Sequence, residues 1–299
     1  MSEDRAKESR IPRTAGDMVR MAREFLERQG VESARLEADL LVAHALGIDR
    51  LRLFLSLDRP LVPAEIDRAR DLLVRRGRRE PAAYITGSRE FYGRPFRVGP
   101  GVLVPRPETE LLVDRAREIA RERGTSELRI ADVGTGSGCI AVTLALELPG
   151  ARVLAVDVSG AAVLCARANA DALGAKVEIV EGDGLAALER AAAAEPFDLV
   201  VSNPPYVGTD ERSALAPEVA EHEPPIALFA PEGDPDYWVR SLLDRARRVL
   251  SPGGRMLVEL GHRQSGRALA RAREQGLQAR THRDLDGIER VLEVGSYGV

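Results

Sequence analysis

Apolar side chains recur at three- and four-residue intervals through residues 14–79, first at Met18, Met21, Phe25 and Leu26, then at Leu36, Leu40, Leu41 and Ala43. That spacing builds the buried face of helices. Thr14 and Ser33 are the candidate N-caps, and Gly30 and Gly47 the candidate stops. The pattern predicts a small helical bundle. It changes at Phe91–Val98, which reads as strand, turn and strand around Gly93, followed by a connector punctuated by Gly99, Pro100, Gly101 and Pro105. Pro107 is expected to open a helix at Glu108. Beyond residue 129 short apolar runs alternate with helical stretches. Strands are predicted at Ile130–Val133, Val153–Asp157, Val177–Glu181, Phe197–Ser202, Arg255–Leu260, Ala279–His282 and Arg290–Val294, and helices at Ala141–Leu148, Val239–Val249 and Gln264–Glu274. Such alternation predicts an α/β domain with a mostly parallel sheet. The expected organisation is a helical domain (1–88), a hairpin linker (89–105) and the α/β domain (106–299).

The ends of these strands carry the polar residues. The first runs into Gly134-Thr135-Gly136-Ser137-Gly138 and then a helix, a turn whose glycines let backbone approach a ligand. The spacing is not the Gly-x-Gly-x-x-Gly of nicotinamide binding, and no Gly-Lys-Ser/Thr phosphate loop occurs. The next strand ends in Asp157, about 20 residues on, where a carboxylate can accept both ribose hydroxyls; Ser159 is the better candidate for the following helix cap. In an open parallel sheet ligands sit at the carboxyl ends of strands, so Asp132, Asp157, Asp183 and Asn203 are expected along one rim. Adenine, ribose and an amino-acid tail describe S-adenosylmethionine better than a phosphate-bearing nucleotide.

Asn203-Pro204-Pro205-Tyr206 follows the run Phe197–Ser202. A carboxamide or aryl amine nitrogen has a delocalised lone pair and attacks a methyl group poorly while planar. The Asn203 side-chain oxygen and the Pro204 carbonyl can accept its two N–H groups, and the Tyr206 ring can form a floor. Two prolines after a strand also serve as an ordinary terminator; the strand before them and the upstream glycine loop favour the acceptor cradle.

These motifs resemble the class I S-adenosylmethionine-dependent methyltransferases, and within them the glutamine methyltransferases of peptide chain release factors (the PrmC/HemK family). The resemblance takes in Glu80–Gly87, Glu90–Gly93, Val104–Glu110, the glycine loop, the Asn-Pro-Pro-Tyr segment, Glu223-Pro224, Glu259-Leu260-Gly261 and Asp286-Gly287. It implies a Rossmann-like seven-stranded sheet with an N-terminal helical bundle and a β-hairpin linker. It also implies that Gly134 to Gly138, Asp157, Gly184, Asn203 and Arg106 contact S-adenosylmethionine, which leaves as S-adenosylhomocysteine, and that Asn203 to Tyr206 grip the glutamine of a Gly-Gly-Gln tripeptide. Gly184 stands where relatives often carry a larger residue, and Glu232–Trp238 departs from the usual glycine-leucine pattern. A ribosomal-protein glutamine methyltransferase, an adenine-amino DNA methyltransferase and a noncatalytic docking protein are the alternatives. The run Pro105–Glu110 favours the release-factor branch.

Composition narrows partners. The 299 residues, 44% of them hydrophobic, suffice for two domains. With 43 basic and 47 acidic residues interspersed, for a net charge of −4, no stable nucleic-acid binding is expected. No apolar run approaches membrane-spanning length, and the charged start Met1–Arg10 reads as a solvated tail rather than a signal peptide, so a cytoplasmic protein is expected. Cys139, Cys165 and the four histidines form no metal set; both thiols read as small buried side chains. Arg75-Arg76-Gly77-Arg78-Arg79 is either a solvated helix end or a docking contact. The long acidic segment Val207–Pro231 is expected to cover the methyl acceptor.

Overall fold

A computed structural model describes residues 11–295, so the segment Met1–Arg10 lies outside the described residues. The chain divides into two compact units, one running to Gly87 and including Pro217–His222, the other holding Ser88–Ala216 and the chain from Glu223 onward.

The first unit contains α1 (Ala15–Arg28), α2 (Ala34–Leu46), α3 (Arg50–Phe54), α4 (Pro63–Gly77) and α5 (Ala82–Thr86). A capping box starts α1: the Asp17 amide donates to Thr14 Oγ1 at 3.1 Å, and the Thr14 amide to Asp17 Oδ2 at 3.3 Å. Ser33 makes no such bond, because its backbone (φ −93°, ψ 33°) is not in the extended conformation that usually aims a cap hydroxyl at the helix amides. The buried stripe of α2 runs through Ala34, Ala38, Leu41, Val42 and Ala45, which leaves Leu36 41% exposed. Of the two readings left open for the basic run, the solvated helix end does not hold for Arg76. It is 1% exposed, and its guanidinium is held by Glu37 and, at 2.7 Å, by Glu218. Arg75 pairs with Glu80 at 2.8 Å and Arg79 donates to the Gly30 carbonyl at 3.2 Å, so much of the basic run is spent inside this unit.

The second unit opens with the antiparallel hairpin of β1 (Ser88–Phe91) and β2 (Arg94–Arg97), where Phe91 and Phe96 meet edge to face. Pro107 begins a single 3₁₀ turn to Thr109, and the α-helix, α6 (Glu110–Arg123), starts after it rather than at Glu108. There follow β3 (Arg129–Val133), α7 (Cys139–Glu147), β4 (Arg152–Asp157), α8 (Gly160–Leu173), β5 (Val177–Glu181), α9 (Gly184–Ala194), β6 (Phe197–Ser202), α10 (Tyr237–Leu243), β7 (Leu250–Glu259), α11 (Ser265–Glu274), β8 (Gln278–Arg283) and β9 (Glu289–Gly295).

Among the described residues one sheet has seven strands in the order β5-β4-β3-β6-β7-β9-β8. Its first five strands are parallel, while β9 runs antiparallel to both neighbours. Strand β3 sits centrally and buries Ile130 and Ala131 completely, the near-continuous apolar run expected of a strand covered on both faces. The single helix expected over Val239–Val249 is broken. The Arg245 amide bonds to Leu242 and the Arg248 amide to Arg245, three-residue spacings that interrupt the α-helical ladder. Strand β7 begins at Leu250, with a register irregularity opposite Phe197 and Leu199. The expected loop at Val207–Pro231 contains a 3₁₀ helix at Thr209–Ala214 and short helices at Pro217–His222 and Pro225–Leu228. Among the described residues no helix is long and apolar enough to cross a membrane.

Candidate functional site

Parallel register sets the site. Val133 of β3 lies beside Val156 of β4 and Ser202 of β6, so the segments leaving these strands open at one level. They surround a cavity of about 430 Å³, a size usual for small-molecule sites. From the glycine loop Gly134, Thr135, Gly136 and Ser137 line it. Asp157, Asp183 and Gly184 lie along the rim, and Asn203, Pro204, Pro205 and Arg106 complete the predicted set that reaches it. Asp132, Gly138 and Tyr206 do not line it.

The loop conformation explains its glycines. Gly134, Gly136 and Gly138 have φ of 77°, 58° and 80°, a region L-residues rarely adopt. A side chain at Gly134 or Gly136 would meet nothing within 4 Å, so the backbone there is bare toward the cavity, whereas one at Gly138 would come within 3.0 Å of Ala166 Cβ. Gly138 thus packs the loop onto α8. Asp132 sits beneath the loop rather than on the rim: its Oδ2 accepts from Thr135 Oγ1 at 2.7 Å and from the Ala141 amide at 3.2 Å. Burial pushes its carboxyl up to about 7. Asn169, 1% exposed on α8, donates to the Ser137 carbonyl at 2.8 Å and to the Arg97 carbonyl at 3.0 Å, and so ties the loop to the hairpin.

Asp157 orients the same loop. Its Oδ2 accepts from the Gly136 amide at 2.8 Å and its Oδ1 from the Ser159 amide at 2.9 Å, while Ser159 Oγ caps α8 at the Ala162 amide. Asp183 caps α9 through the Ala186 amide at 2.8 Å. At Gly184 an added Cβ would lie 2.8 Å from Val133 Cγ1, so in this chain the valine methyl already fills the space a larger residue would need.

Asn203 is held by a chain of hydrogen bonds. Its Nδ2 donates to Thr109 Oγ1 at 3.1 Å, and Thr109 Oγ1 donates to Glu259 Oε2 at 2.6 Å. Glu259 is 2% exposed. Burial pushes its carboxyl up to about 7, against the Thr109 bond and the positive charges of Arg290 and Arg106. Tyr206 lies beside Gly261, where a Cβ would be 2.9 Å from its ring, and burial raises its phenol well above the ordinary value. It is therefore a neutral packing wall behind the cradle. Arg106 donates to Glu223 Oε1 at 2.6 Å, and Glu223, 4% exposed, also accepts from the Val104 amide at 3.1 Å. Val207 and Phe229 form a bridge, which brings Ile226 and Phe229 into the cavity wall with Trp238.

Family models describe both parts of the chain: a PrmC N-terminal domain matches residues 17–87 and a methyltransferase small domain residues 109–225. The release factor glutamine methyltransferase of Geobacter sulfurreducens is 42% identical over 271 residues, covering 90% of this chain and 92% of its own. The chain belongs to the release factor glutamine methyltransferase family. Other members of that family are as similar: the Cereibacter sphaeroides protein is 43% identical over 282 residues, 93% of this chain and 97% of its own, and the Deinococcus radiodurans protein 39% over 282 residues, 94% and 98%. Among solved structures, the hMettl16 catalytic domain in complex with MAT2A 3′UTR hairpin 6 aligns with a TM-score of 0.51 at 17% identity, over 78% of this chain and 82% of its own, a likeness of fold.

The sequence singles out the segments holding Thr109, Glu223 and Glu259 without assigning those residues a role, and it does not mark Asn169 at all. One signal was available: Glu259 is a lone acid closing the apolar run Met256-Leu257-Val258 at a strand end, where a charge needs a reason. Thr109 and Asn169 carry no comparable mark, since hydroxyls and amides are common on helices.

Proposed function

We propose that this cavity binds S-adenosylmethionine and that the protein methylates the side-chain amide nitrogen of the glutamine in the Gly-Gly-Gln motif of class 1 peptide chain release factors. One observation carries the reading: bare glycine backbone, the Asp157 carboxylate and the Asn203-Pro204 pair share a single cavity. The residues present fit the ligand. Gly134 and Gly136 leave room for close backbone approach, and Asp157 offers the acceptor a ribose diol requires.

When bound, S-adenosylmethionine supplies a methyl group whose bonding pair to sulfur stays with sulfur as the amide nitrogen's lone pair makes the new bond and one amide proton leaves to water. Asn203 Oδ1 and the Pro204 carbonyl accept the two amide N–H groups and draw the nitrogen out of conjugation. Apolar walls at Phe229 and Ile226 limit water. Such alignment can be worth roughly 7–11 kcal/mol, so no strong base at the nitrogen is required. The N-terminal unit reads the protein substrate, Val207–Pro231 covers the acceptor, and the cytoplasm, where translation terminates, is where the two meet.

The test is incubation with labelled S-adenosylmethionine and, separately, unmethylated release factor, ribosomal proteins and DNA, with the methyl located by mass spectrometry. Label on the Gly-Gly-Gln glutamine supports the reading; label only on a ribosomal protein or on adenine replaces the substrate. Asn203→Ala is expected to lower turnover by about a thousandfold while cofactor affinity stays within a few-fold, and an unchanged rate removes Asn203 from the reaction.

A further inference from the structure

A threonine hydroxyl carries one hydrogen and two acceptor sites. Thr109 makes two contacts, one with Glu259 Oε2 at 2.6 Å and one with Asn203 Nδ2 at 3.1 Å. A carboxylate cannot donate, so the Thr109 hydrogen goes to Glu259, and the short O–O distance is that of a charge-assisted bond. The second contact must then be donated by Asn203. An amide that turns its NH₂ toward Thr109 turns its oxygen the other way. We propose that Thr109 and Glu259 are positioning residues of the transfer, which fix the Asn203 amide so that its oxygen faces the N–H of the acceptor glutamine. The proposal deepens the function argued above and rests on it.

The relay has a second polarity. With Glu259 protonated, its O–H can donate to Thr109, Thr109 can donate to Asn203, and the amide then turns its NH₂ toward the cavity. There a donor would oppose the donors of the acceptor amide, and the cradle fails. Activity should therefore need ionised Glu259. The groups facing this carboxyl are Arg106, Glu108 and Thr109 from the turn before α6, Cys139 at the start of α7, Tyr206 after β6 and Arg290 on β9. Arg106 and Arg290 favour the carboxylate, Glu108 opposes it, and burial, the largest influence, holds the group at about 7.

Thr109→Val keeps the shape and deletes the hydroxyl; Thr109→Ser keeps the hydroxyl. Turnover on release factor, cofactor affinity and the pH dependence of kcat would be measured for the full chain and these variants, with Glu259→Gln beside them. Thr109→Val should lower kcat by about 30- to 100-fold, the scale of a misplaced reacting group, with cofactor affinity unchanged, and Thr109→Ser should restore most of it. Wild-type kcat should fall on the acid side of about 7, and Glu259→Gln should abolish that limb. Thr109→Val at wild-type turnover, Thr109→Ser as impaired as Thr109→Val, or an acid limb retained in Glu259→Gln would each overturn the proposal. Should Thr109→Val not fold, the serine and glutamine variants decide. A wild-type enzyme that never labels the release-factor glutamine defeats the functional reading itself, a distinct result.

Discussion

Glu259 and Glu293 occupy neighbouring antiparallel strands, with Glu293 paired to Leu257 and Glu259 to Val291. They are 2% and 0% exposed, so both acids bear the cost of leaving water. Their surroundings answer that cost differently. Glu293 receives Arg115 at 2.9 Å, Arg280 at 2.8 Å and His282 at 2.7 Å. Although burial opposes it, these partners hold its carboxyl well below the ordinary range. Among the described residues Glu259 is hydrogen-bonded by the Thr109 hydroxyl rather than by a cation, and its carboxyl is pushed up to about 7. A buried acid hydrogen-bonded by cations anchors structure; one hydrogen-bonded by a hydroxyl, with its cations farther off, keeps its proton negotiable. The second kind lies one hydroxyl away from Asn203 on the cavity wall, in keeping with the clustering of perturbed acids at functional sites.

The largest effect that would sharpen this contrast is on folding. Glu293→Gln leaves Arg115 and Arg280 facing a neutral partner and should cost about 3 kcal/mol in a urea melt, with turnover of the folded enzyme within about twofold of wild type. A stable variant with impaired turnover would break the distinction. Glu259→Gln should reverse the pattern, with little loss of stability and an altered pH profile.

The pH dependence of stability separates them next. The Glu293 carboxyl is depressed, so its contribution is present above its ordinary value of 4.5 and is lost as pH falls below that. The Glu259 carboxyl is raised, so the folded protein holds a proton that the unfolded chain has released between 4.5 and about 7. Its contribution is present below 4.5 and lost as pH rises through about 7. Melting temperatures from about pH 2 to 8 should therefore show an acid-side loss that Glu293→Gln removes and a neutral-side decline that Glu259→Gln removes. The smallest effect belongs to Arg290, whose charge favours the Glu259 carboxylate. Arg290→Gln should move the acid limb of turnover upward by less than about one pH unit.

Local chemistry made much of the fold and part of the site readable in advance. The apolar runs ending at Asp157 and Ser202, and the glycine loop after Val133, announce parallel strands with their functional ends on one rim. Gly134, Gly136 and Asp157 could be named because backbone freedom and a strand-end acid leave marks in sequence. Asp132 could not be assigned correctly: one strand over, the same pattern puts its carboxylate under the loop, where Thr135 and the Ala141 amide hold it. Tyr206 turned out to pack against Gly261, a neighbour that only the pairing of β6 with β7 brings near. The burial of Arg76 was not legible for the same reason, since Glu218 lies far along the chain. Contacts between distant segments, Thr109 to Glu259 above all, are set by tertiary packing and have no local signature.

The most direct measurement is mass spectrometry of a class 1 release factor incubated with this protein and labelled S-adenosylmethionine. One methyl on the side-chain nitrogen of the Gly-Gly-Gln glutamine, nearly absent with Asn203→Ala, is the predicted result. An unlabelled glutamine, with an active preparation methylating some other acceptor, would contradict it.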